Sequence, residues 1–373
     1  MQIEASCSEA MNLAYLASCV IRGTIPDAQR IAKMDLSTLY KTAERHMMTS
    51  ITAVALESAG IKDHAFTQAK GKAIRKEAVF DIERAAVMSA LEEAGIWHMP
   101  LKGAVLKGLY PKLGTRQMSD NDILFDQAAT DQVDNIMKGL GYRLDHKSKV
   151  HISYFKEPVC NFEMHTTLFS PAGMDTLYSY YRDVKGRLIP DDNTQYRYHF
   201  SDEDFYVYMT AHSYKHFING GTGLRSFMDI FVFFSKKKDT LHWQYVEAEL
   251  AKLGIAEYEQ MNRNLAIHLF SDEELTAQEQ EMLEYALSSG AYGTSQHRID
   301  YKLTQLGGGK KARIRYLFRR VFVPREFIID IYPVFAKYPF LFFLHPFYRF
   351  YKGMSSNRKM LKREFSSFIR SKK

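Results

Sequence analysis

Cysteine is scarce in this sequence, and its pattern argues against two classes of protein. The 373-residue chain has three cysteines, Cys7, Cys19 and Cys160, and none of them lies in a C-x-x-C pair. An odd number of isolated cysteines does not support a disulfide framework, and the lack of paired cysteines excludes a zinc ribbon. We therefore expect a reducing, cytoplasmic setting.

Long apolar runs are missing as well. Residues 1–6 lack the basic start and apolar stretch of a signal peptide, so we expect none. The longest strongly apolar stretch, at 340–344, lies between prolines and is far shorter than the roughly 20 residues that a membrane-spanning helix needs. Tryptophan is limited to two residues, but 25 Phe, 23 Tyr and an apolar content of 46% predict a sizeable core and exclude wholesale disorder.

The formal net charge of +7 is unevenly distributed along the chain. Residues 310–373 contain 17 Lys and Arg against three Asp and Glu, which leaves a net charge of −7 on residues 1–309. The basic character of the protein is therefore a property of its last segment and says little about the rest.

Composition and periodicity divide the chain into four regions. Residues 1–95 predict helices, because apolar residues recur at helical spacing and Pro26 is the single proline. Residues 96–200 predict an α/β core, and residues 201–309 predict a helical domain. After the glycines at 307–309, residues 310–373 predict a basic, aromatic-rich helical segment.

Within the α/β core, short apolar runs alternate with turn residues. We expect strands at 96–101, 122–125, 141–144, 151–155 and 159–165. A short helix is predicted at 104–109 and a longer one at 130–140, with Thr130 as the N-cap of the longer helix.

Two aspartates carry the strongest chemical signal. Asp120 and Asp122 are separated by one residue at the start of a predicted strand, so their side chains share one face. Two adjacent carboxylates repel each other unless a cation lies between them. Mg²⁺ prefers oxygen ligands and commonly binds one or two carboxylates together with substrate phosphates.

A third carboxylate lies on a later predicted strand. There, Glu163 and His165 alternate with the apolar Phe162 and Met164, so the polar pair occupies one face. If this strand lies beside the first, Glu163 converges with the two aspartates. Three converging carboxylates suit two-metal phosphoryl or nucleotidyl transfer.

Residues upstream of the aspartates predict a site for phosphates. Lys102 and Gly103 lie between a strand and a short helix, whose N-terminus offers free N–H groups to a triphosphate. Arg116 offers two parallel donors to a phosphate just before the acids, and Ser119 lies next to them.

Together these motifs resemble a known family. L-K-G-A-V-L-K-G-L-Y-P at 101–111, T-R-Q-M-S-D-N-D-I-L-F at 115–125 and F-E-M-H at 162–165 are similar to the bacterial family called uncharacterised nucleotidyltransferase, within the polymerase-β-like superfamily. The similarity extends over most of residues 75–350 and includes A-H-S-Y-K-H at 211–216 and G-L-R-S-F-M-D at 223–229.

The resemblance implies a fold and a set of functional residues. The implied fold class is α/β plus all-α: a minimal nucleotidyltransferase α/β core with a short mixed sheet, flanked by N-terminal helices and a C-terminal helical domain. Asp120, Asp122 and Glu163 are implied to be catalytic and to hold Mg²⁺, as two ions. In one place the sequence differs from the wider superfamily, because K-G-A at 102–104 replaces the usual Gly-Ser and thus lacks a phosphate-binding hydroxyl.

Two residue pairs one helical turn apart leave alternatives open. His212 and His216 have a spacing that can bind zinc, but no H-E-x-x-H motif is present, which favours a structural or pocket-lining role. Lys215 between them either binds phosphate or faces solvent. Arg225 and Asp229 form either an intrahelical ion pair or a unit in which Asp229 aims Arg225 at the nucleotide.

The basic, aromatic-rich segment from residue 310 also allows three interpretations. It is a membrane-surface element, an RNA-contacting surface, or a helical subdomain whose aromatic side chains pack inward while its charges face water. The helix-like spacing of Tyr316, Arg319, Arg320 and Val323 favours the subdomain.

Two functions follow from these patterns. The first is a Mg²⁺-dependent nucleotidyltransferase that moves a nucleoside monophosphate from a nucleoside triphosphate such as ATP to a hydroxyl of an unknown small molecule or protein, with nucleic acid less favoured as acceptor. Lys102, Gly103, Arg116, Ser119, Lys215 and Arg225 then bind the nucleotide. The alternative is a non-catalytic regulatory protein that binds a nucleotide or a partner. The three acids favour the first function, and the missing serine favours the second.

Overall fold

The computed structural model describes residues 2–170, 174–291, 293–323, 325, 328, 332, 334–356, 358, 366, 368 and 369. Its compact parts are two units, the first formed by residues 1–214 and 223–287 and the second by residues 215–222 and 288–373. The four regions inferred from composition stay a proposal about how the chain is organised.

The first unit begins with helices, as the sequence predicts. They are α1 (Gln2–Arg22), α2 (Ala28–Ile31), α3 (Leu36–Arg45), α4 (Thr49–Ser58) and α5 (His64–Glu93). Helix α1 packs against α3 and α4. Asp63 begins the long helix α5 by accepting a hydrogen bond from the backbone of Phe66 at 3.1 Å, and Gly95 follows the helix with a φ of 70°.

The α/β core follows α5. It comprises β1 (His98–Pro100), α6 (Gly103–Leu106), a 3-10 turn (Lys107–Leu109), β2 (Asn121–Phe125), a 3-10 turn (Gln127–Ala129), α7 (Thr130–Gly139), β3 (Arg143–Lys147), β4 (His151–Lys156) and β5 (Cys160–His165). The five strands form one sheet in the order β1-β2-β5-β4-β3, in which β2 and β5 are parallel and the other neighbours are antiparallel. This is the short mixed sheet that the fold class predicts.

Two local expectations need correction. Thr130 is the first residue of α7 and not its N-cap, because its hydroxyl donates to the Gln127 carbonyl at 2.6 Å while Asp126 caps the preceding turn. The strand expected at 141–144 starts at Arg143, because Gly141 takes a φ of 84° and serves to end α7.

The two faces of the sheet differ in character. On one face, alternate residues of β2, β5 and β4 pack with α5 and α7 into a buried core: Phe80, Val87, Leu91, Ile123, Phe125, Val133, Met137, Ile152, Tyr154, Phe162 and Met164. The residues between them, among them Asp122 and Glu163, therefore face the other way.

Helices return after the core. A second, two-stranded sheet joins β6 (Ile189–Pro190) and β7 (Tyr198–His199) after α8 (Asp175–Tyr181) and a 3-10 turn (Val184–Arg187). Next come α9 (Asp202–Ile218), α10 (Leu224–Lys237), α11 (Trp243–Leu253), α12 (Ala256–Ser271) and α13 (Ala277–Ser289). Helix α12 packs against α1 and α10, so the helical part after the core joins the N-terminal helices. The fold is thus α/β plus helical, with helices on both sides of the core in sequence.

The second unit contains α14 (Ser295–Gln305), α15 (Gly309–Val321), α16 (Val334–Lys337), a 3-10 turn (Pro339–Leu344) and α17 (His345–Ser356). Its small core includes Ile299, Leu303, Ala312 and Tyr316. The expected inward packing of its aromatic residues is met by Tyr316 and Phe335 but not by Phe318, Phe322, Tyr338, Phe340, Phe343, Phe347, Phe350 and Tyr351, which are exposed. Phe327 lies outside the described residues. None of the described helices combines the length and apolarity needed to cross a bilayer.

The buried His46 provides a test of this packing. It follows α3, and its Nδ1 accepts a hydrogen bond from the backbone N–H of Leu224 at the start of α10. Burial, and then the nearby charge of Arg45, lowers the pKa of His46 from 6.5 to about 4. Between these values the unfolded chain binds a proton that the folded chain does not, so stability is complete above pH 6.5 and is lost as the pH falls towards 4.

We expect His46 to cost the wild type about 2 kcal/mol of unfolding free energy between neutral pH and about pH 5. Denaturant titrations at both pH values should show that His46→Gln lacks this part of the pH dependence. His64→Gln, which changes an exposed histidine at the start of α5, should keep it. An equal loss of stability in wild type and His46→Gln would show that His46 does not titrate in this way.

Candidate functional site

Strand pairing brings two of the three predicted acids side by side. Strands β2 and β5 are parallel neighbours, and their register places Asp122 opposite Glu163. Asp120 lies two residues before Asp122, at the entrance to the same strand, and is partly buried. The side chains of Asp122 and Glu163 lie on the sheet face that is not covered by the α5 and α7 core.

Lys102 compensates the most buried of these charges. Its Nζ lies 2.7 Å from Oδ1 of Asp122, whose side chain is 4% exposed. Burial alone would raise the pKa of Asp122, but the Lys102 charge and a hydrogen bond from His165 outweigh it and hold that pKa well below its usual value. Conversely, burial would lower the pKa of Lys102, and Asp122 raises it above the usual value.

The backbone at Lys102 is strained. Its φ of 46° lies in the left-handed region, which residues other than glycine rarely adopt. Lys102 lies between β1 and α6. On the β1 side, Leu101 donates its N–H to the Asp122 carbonyl. On the α6 side, Val105 and Leu106 donate their N–H groups to the Lys102 carbonyl. Strain held by bonds on both sides is typical of functional positions.

Two histidines extend the site beyond the predicted acids. Nε2 of His165 lies 2.8 Å from Oδ1 of Asp122 and 3.5 Å from Oε2 of Glu163, so one imidazole joins both carboxylates. Nε2 of His151 lies 3.9 Å from Oε1 of Glu163. In the described part of the chain, potential metal-ligating atoms of His151, Glu163 and His165 lie within 4.8 Å of one another. That group does not include the His212 and His216 pair.

The neighbouring charged groups also shift the pKa values of Asp120 and Glu163. Burial, and after it the charge of Asp122, raises the pKa of Asp120 to about 6. The hydrogen bond from His165 lowers the pKa of Glu163. Negative charge is therefore disfavoured at Asp120, whereas Asp122 and Glu163 are held in the charged form by their neighbours.

The sequence interpretation missed Lys76. This residue of α5 donates from Nζ to the Ser119 carbonyl at 3.0 Å and lies over the Phe80 ring. Burial lowers the pKa of Lys76 below its usual value, and the charge of Asp120 offsets only part of this effect. No local pattern identifies Lys76, because more than forty residues separate it from Asp120. In addition, the sequence around it predicts a helix and contains no functional motif. His151 was missed for a similar reason, since it lies on a different strand from Glu163 and no short motif links the two.

The loop before the aspartates is tied to several helices. Arg225 of α10 donates to the Gln117 carbonyl at 2.8 Å and lies 3.4 Å from the Ser119 hydroxyl. The side chain of Gln117 accepts hydrogen bonds from Thr49 and Ser50 of α4. Arg225 is therefore positioned beside Asp120 by its contacts with the loop.

Arg116 is held inside the protein. Its Nε and Nη2 donate to the two carboxylate oxygens of Asp229 at 2.7 and 2.8 Å, and the Tyr110 hydroxyl donates to the same carboxylate at 2.7 Å. Asp229, which the i, i+4 spacing offered to Arg225, thus forms a bidentate pair with Arg116. These contacts favour a positioning role for Arg116, and a direct phosphate contact stays a prediction.

Gly103 has a steric reason to be glycine. A Cβ atom at this position would lie 2.4 Å from Nη1 of Arg116 and 3.0 Å from Cε of Met118. Helix α6 has only four residues, so its dipole is small, and the observed role of Gly103 is to admit the Arg116 side chain.

Three residues singled out in the sequence lie farther along the chain, on α9. His212 lies on α9 with its ring 6.0 Å from that of Tyr208. Lys215 and His216 follow on the same helix, in the 215–222 stretch that belongs to the second unit. Nucleotide binding by Lys215 therefore stays a prediction.

The Arg116–Asp229 pair makes a stability prediction. Asp229→Ala leaves a buried guanidinium without its counter-ion and a buried Tyr110 hydroxyl without its acceptor, and it should lower the unfolding free energy by about 3–5 kcal/mol. Denaturant unfolding measures this, with Asp239→Ala as a matched control at an exposed position near the end of the α10 region. A loss as small as that of the control would contradict the buried pair.

Comparison with known proteins identifies a family. A family model described as "Uncharacterised nucleotidyltransferase" matches residues 32–271, from just before α3 to the end of α12. The similarity expected between 271 and 350 is not part of that match. No curated protein and no solved structure gives a significant match. Because the family match spans more than half of the chain and includes Asp120, Asp122 and Glu163, the chain belongs to the uncharacterised nucleotidyltransferase family.

Proposed function

We propose that the protein transfers a nucleoside monophosphate from a nucleoside triphosphate to a hydroxyl group of an acceptor, with Mg²⁺ as cofactor. The observation that carries the proposal is the register of Asp122 with Glu163 on one sheet face, beside Asp120. Three cations, Lys76, Lys102 and Arg225, exert their charge on Asp120 or Asp122. Anionic groups flanked by cations can accommodate both a metal ion and phosphates.

The donor set fits magnesium. Asp120, Asp122 and Glu163 supply carboxylate oxygens, which Mg²⁺ prefers and which it supplements with substrate phosphates. We propose that these three residues hold the ion, or two ions. When bound, Mg²⁺ neutralises phosphate charge and lowers the pKa of an attacking hydroxyl. The nitrogens of His151 and His165 next to Glu163 also suit a transition metal such as Fe²⁺ or Ni²⁺, so metal preference is part of the test.

The side chains of this protein then have distinct tasks. Lys76, Lys102 and Arg225 bind the triphosphate, with Ser119 in the same loop, while Arg116 and Gly103 hold that loop in place. Glu163 orients the acceptor hydroxyl. The acceptor oxygen forms a bond to the α-phosphorus as the bond to the β-phosphate oxygen breaks, and pyrophosphate leaves.

Pyrophosphate release with each of the four nucleoside triphosphates is the direct test. Activity needs a divalent cation and should fall by about 100-fold or more in Asp120→Asn and Glu163→Gln, because each removes a charged group that acts on the reacting phosphates. Asp145→Asn, at an exposed position on β3, is the matched control. Turnover at the wild-type rate in both site variants would exclude these roles.

The activity of Asp122→Asn is harder to interpret than that of the other two site variants. Because Asp122 is buried and paired with Lys102, the substitution leaves an ammonium group facing an amide and should also lower stability. Its activity is interpretable only alongside a measured melting temperature.

Replacing Lys102 should affect metal binding and nucleotide binding in opposite directions. Its ammonium group occupies the Asp122 oxygen that a metal would need. Lys102→Met should therefore bind Mn²⁺ more tightly than wild type without nucleotide, and bind nucleoside triphosphate about tenfold more weakly. Titration calorimetry measures both constants. Weaker binding of both ligands would mean that Lys102 supports the fold of the site and does not compete with the metal.

The second candidate function is non-catalytic nucleotide binding. Two features favour it: Lys102 engages Asp122, a proposed metal ligand, and the serine that the superfamily has after the glycine is absent from K-G-A at 102–104. Thermal-shift titration with nucleotide and Mg²⁺ separates binding from its absence. Nucleotide binding without pyrophosphate release in the presence of candidate acceptors supports this regulatory function.

A further inference from the structure

Helix α15 has an apolar face that points to solvent. Four side chains at the i, i+3, i+4 and i+7 positions of a helix are between 43% and 69% exposed: Ile314, Leu317, Phe318 and Val321. On the opposite side, Ala312 and Tyr316 are buried in the core of the second unit. The helix is thus apolar on two faces, of which only one is used inside the protein.

A second exposed apolar row continues along the next helices. It runs through the 3-10 turn and α17 at intervals of three or four residues, and each member is between 66% and 74% exposed: Phe340, Phe343, Phe347 and Phe350, with Tyr351 beside them. Exposed aromatic residues at this density are unusual for a solvated surface, because each large ring can bury roughly 150–250 Å².

The two rows belong to adjoining helices. Arg349 of α17 donates from Nη1 to the carbonyls of Arg320 and Val321, at 3.1 and 3.2 Å. These are the last carbonyls of α15, so the Arg349 side chain of α17 caps the C-terminal end of α15. We call the nine exposed residues of the two rows the C-terminal apolar surface.

The described residues around this surface carry charge of one sign. Residues 310–323 and 334–356 contain nine Lys and Arg and no Asp or Glu. Helical spacing places Arg313, Arg315 and Arg320 on the flanks of the α15 row. Long basic side chains beside an apolar row can cover its edges while their charged ends reach outward.

The chain itself offers no cover for the α15 row among the described residues. Phe368, from the C-terminal end, stacks on Tyr316 with ring centroids 5.6 Å apart. That contact is on the buried face of α15 and leaves the row of Ile314, Leu317, Phe318 and Val321 exposed.

We propose that the C-terminal apolar surface docks on an anionic membrane surface. Apolar side chains of such helices insert into the boundary between headgroups and acyl chains, and basic residues pair with lipid phosphates. An RNA surface fits less well, because base stacking uses aromatic rings and Arg planes, whereas the α15 row includes the aliphatic Ile314, Leu317 and Val321. If the proposed function holds, membrane docking would tether a nucleotidyltransferase to a bilayer.

Co-sedimentation of the full chain with vesicles tests the proposal. We expect binding to phosphatidylcholine vesicles that contain phosphatidylglycerol, weaker binding as salt rises, and little binding to phosphatidylcholine alone. The double variants Leu317→Ser/Phe318→Ser and Phe347→Ser/Phe350→Ser should each weaken binding by about tenfold or more, since they remove inserted apolar area. Ile25→Ser/Ile82→Ser replaces two equally exposed residues of the first unit and should bind as wild type.

Several outcomes would overturn the proposal. One is equal affinity of the row variants and the control for anionic vesicles, and another is equal affinity of wild type for anionic and neutral vesicles. Failure to bind vesicles, with binding to single-stranded RNA that the row variants lose, would assign the surface to nucleic acid. Failure to bind vesicles, with a concentration-dependent dimer that the row variants lose, would assign it to a second copy of the chain. Circular dichroism and melting temperature show whether each variant is folded.

Discussion

The central constraint in this protein is the burial of carboxylates on one face of a small sheet. Asp122 is almost completely buried, and Asp120 and Glu163 stand next to it. In a partly desolvated site such charges are costly, and the structure compensates them with Lys102 and His165. Both partners contact the same oxygen, Oδ1 of Asp122. The left-handed backbone at Lys102 is the local strain that accompanies this arrangement.

The helices around the core are part of the site and not an addition to it. The loop at 115–120 is bonded to α4 through Gln117, to α5 through the Ser119 carbonyl, and to α10 through Arg225 and the Arg116–Asp229 pair. A loop without regular structure is held firmly only when its polar groups have partners on rigid elements. This explains why the family match starts before α3 and continues to α12, well beyond the five strands. The matched region thus contains the sheet together with the helices that hold the loop.

The sequence predicted what depends on local periodicity and failed where a contact crosses the chain. Alternation along β5 predicted that Phe162 and Met164 enter the core while Glu163 faces away, and the core confirms it. The motif also led to the family, which the match over 32–271 shows. Lys76 could not be found this way, because its bond to Ser119 depends on how α5 crosses the sheet. The partner of Asp229 was also beyond local spacing, since Arg116 is more than one hundred residues away and outcompetes the i, i+4 position with a bidentate, buried geometry.

Net charge is a poor guide to where anions bind in this chain. Residues 1–309 carry a net charge of −7, yet the site within them gathers Lys76, Lys102 and Arg225 around the acids. Screening over roughly 8–10 Å means that a phosphate senses these few neighbours and not the sum over the domain. The same principle gives the excess positive charge of residues 310–373 a local meaning. On α15 the arginines border an exposed apolar row. Neither charge nor hydropathy alone would reveal this combination. It distinguishes a surface suited to the membrane interface from one that only attracts counter-ions.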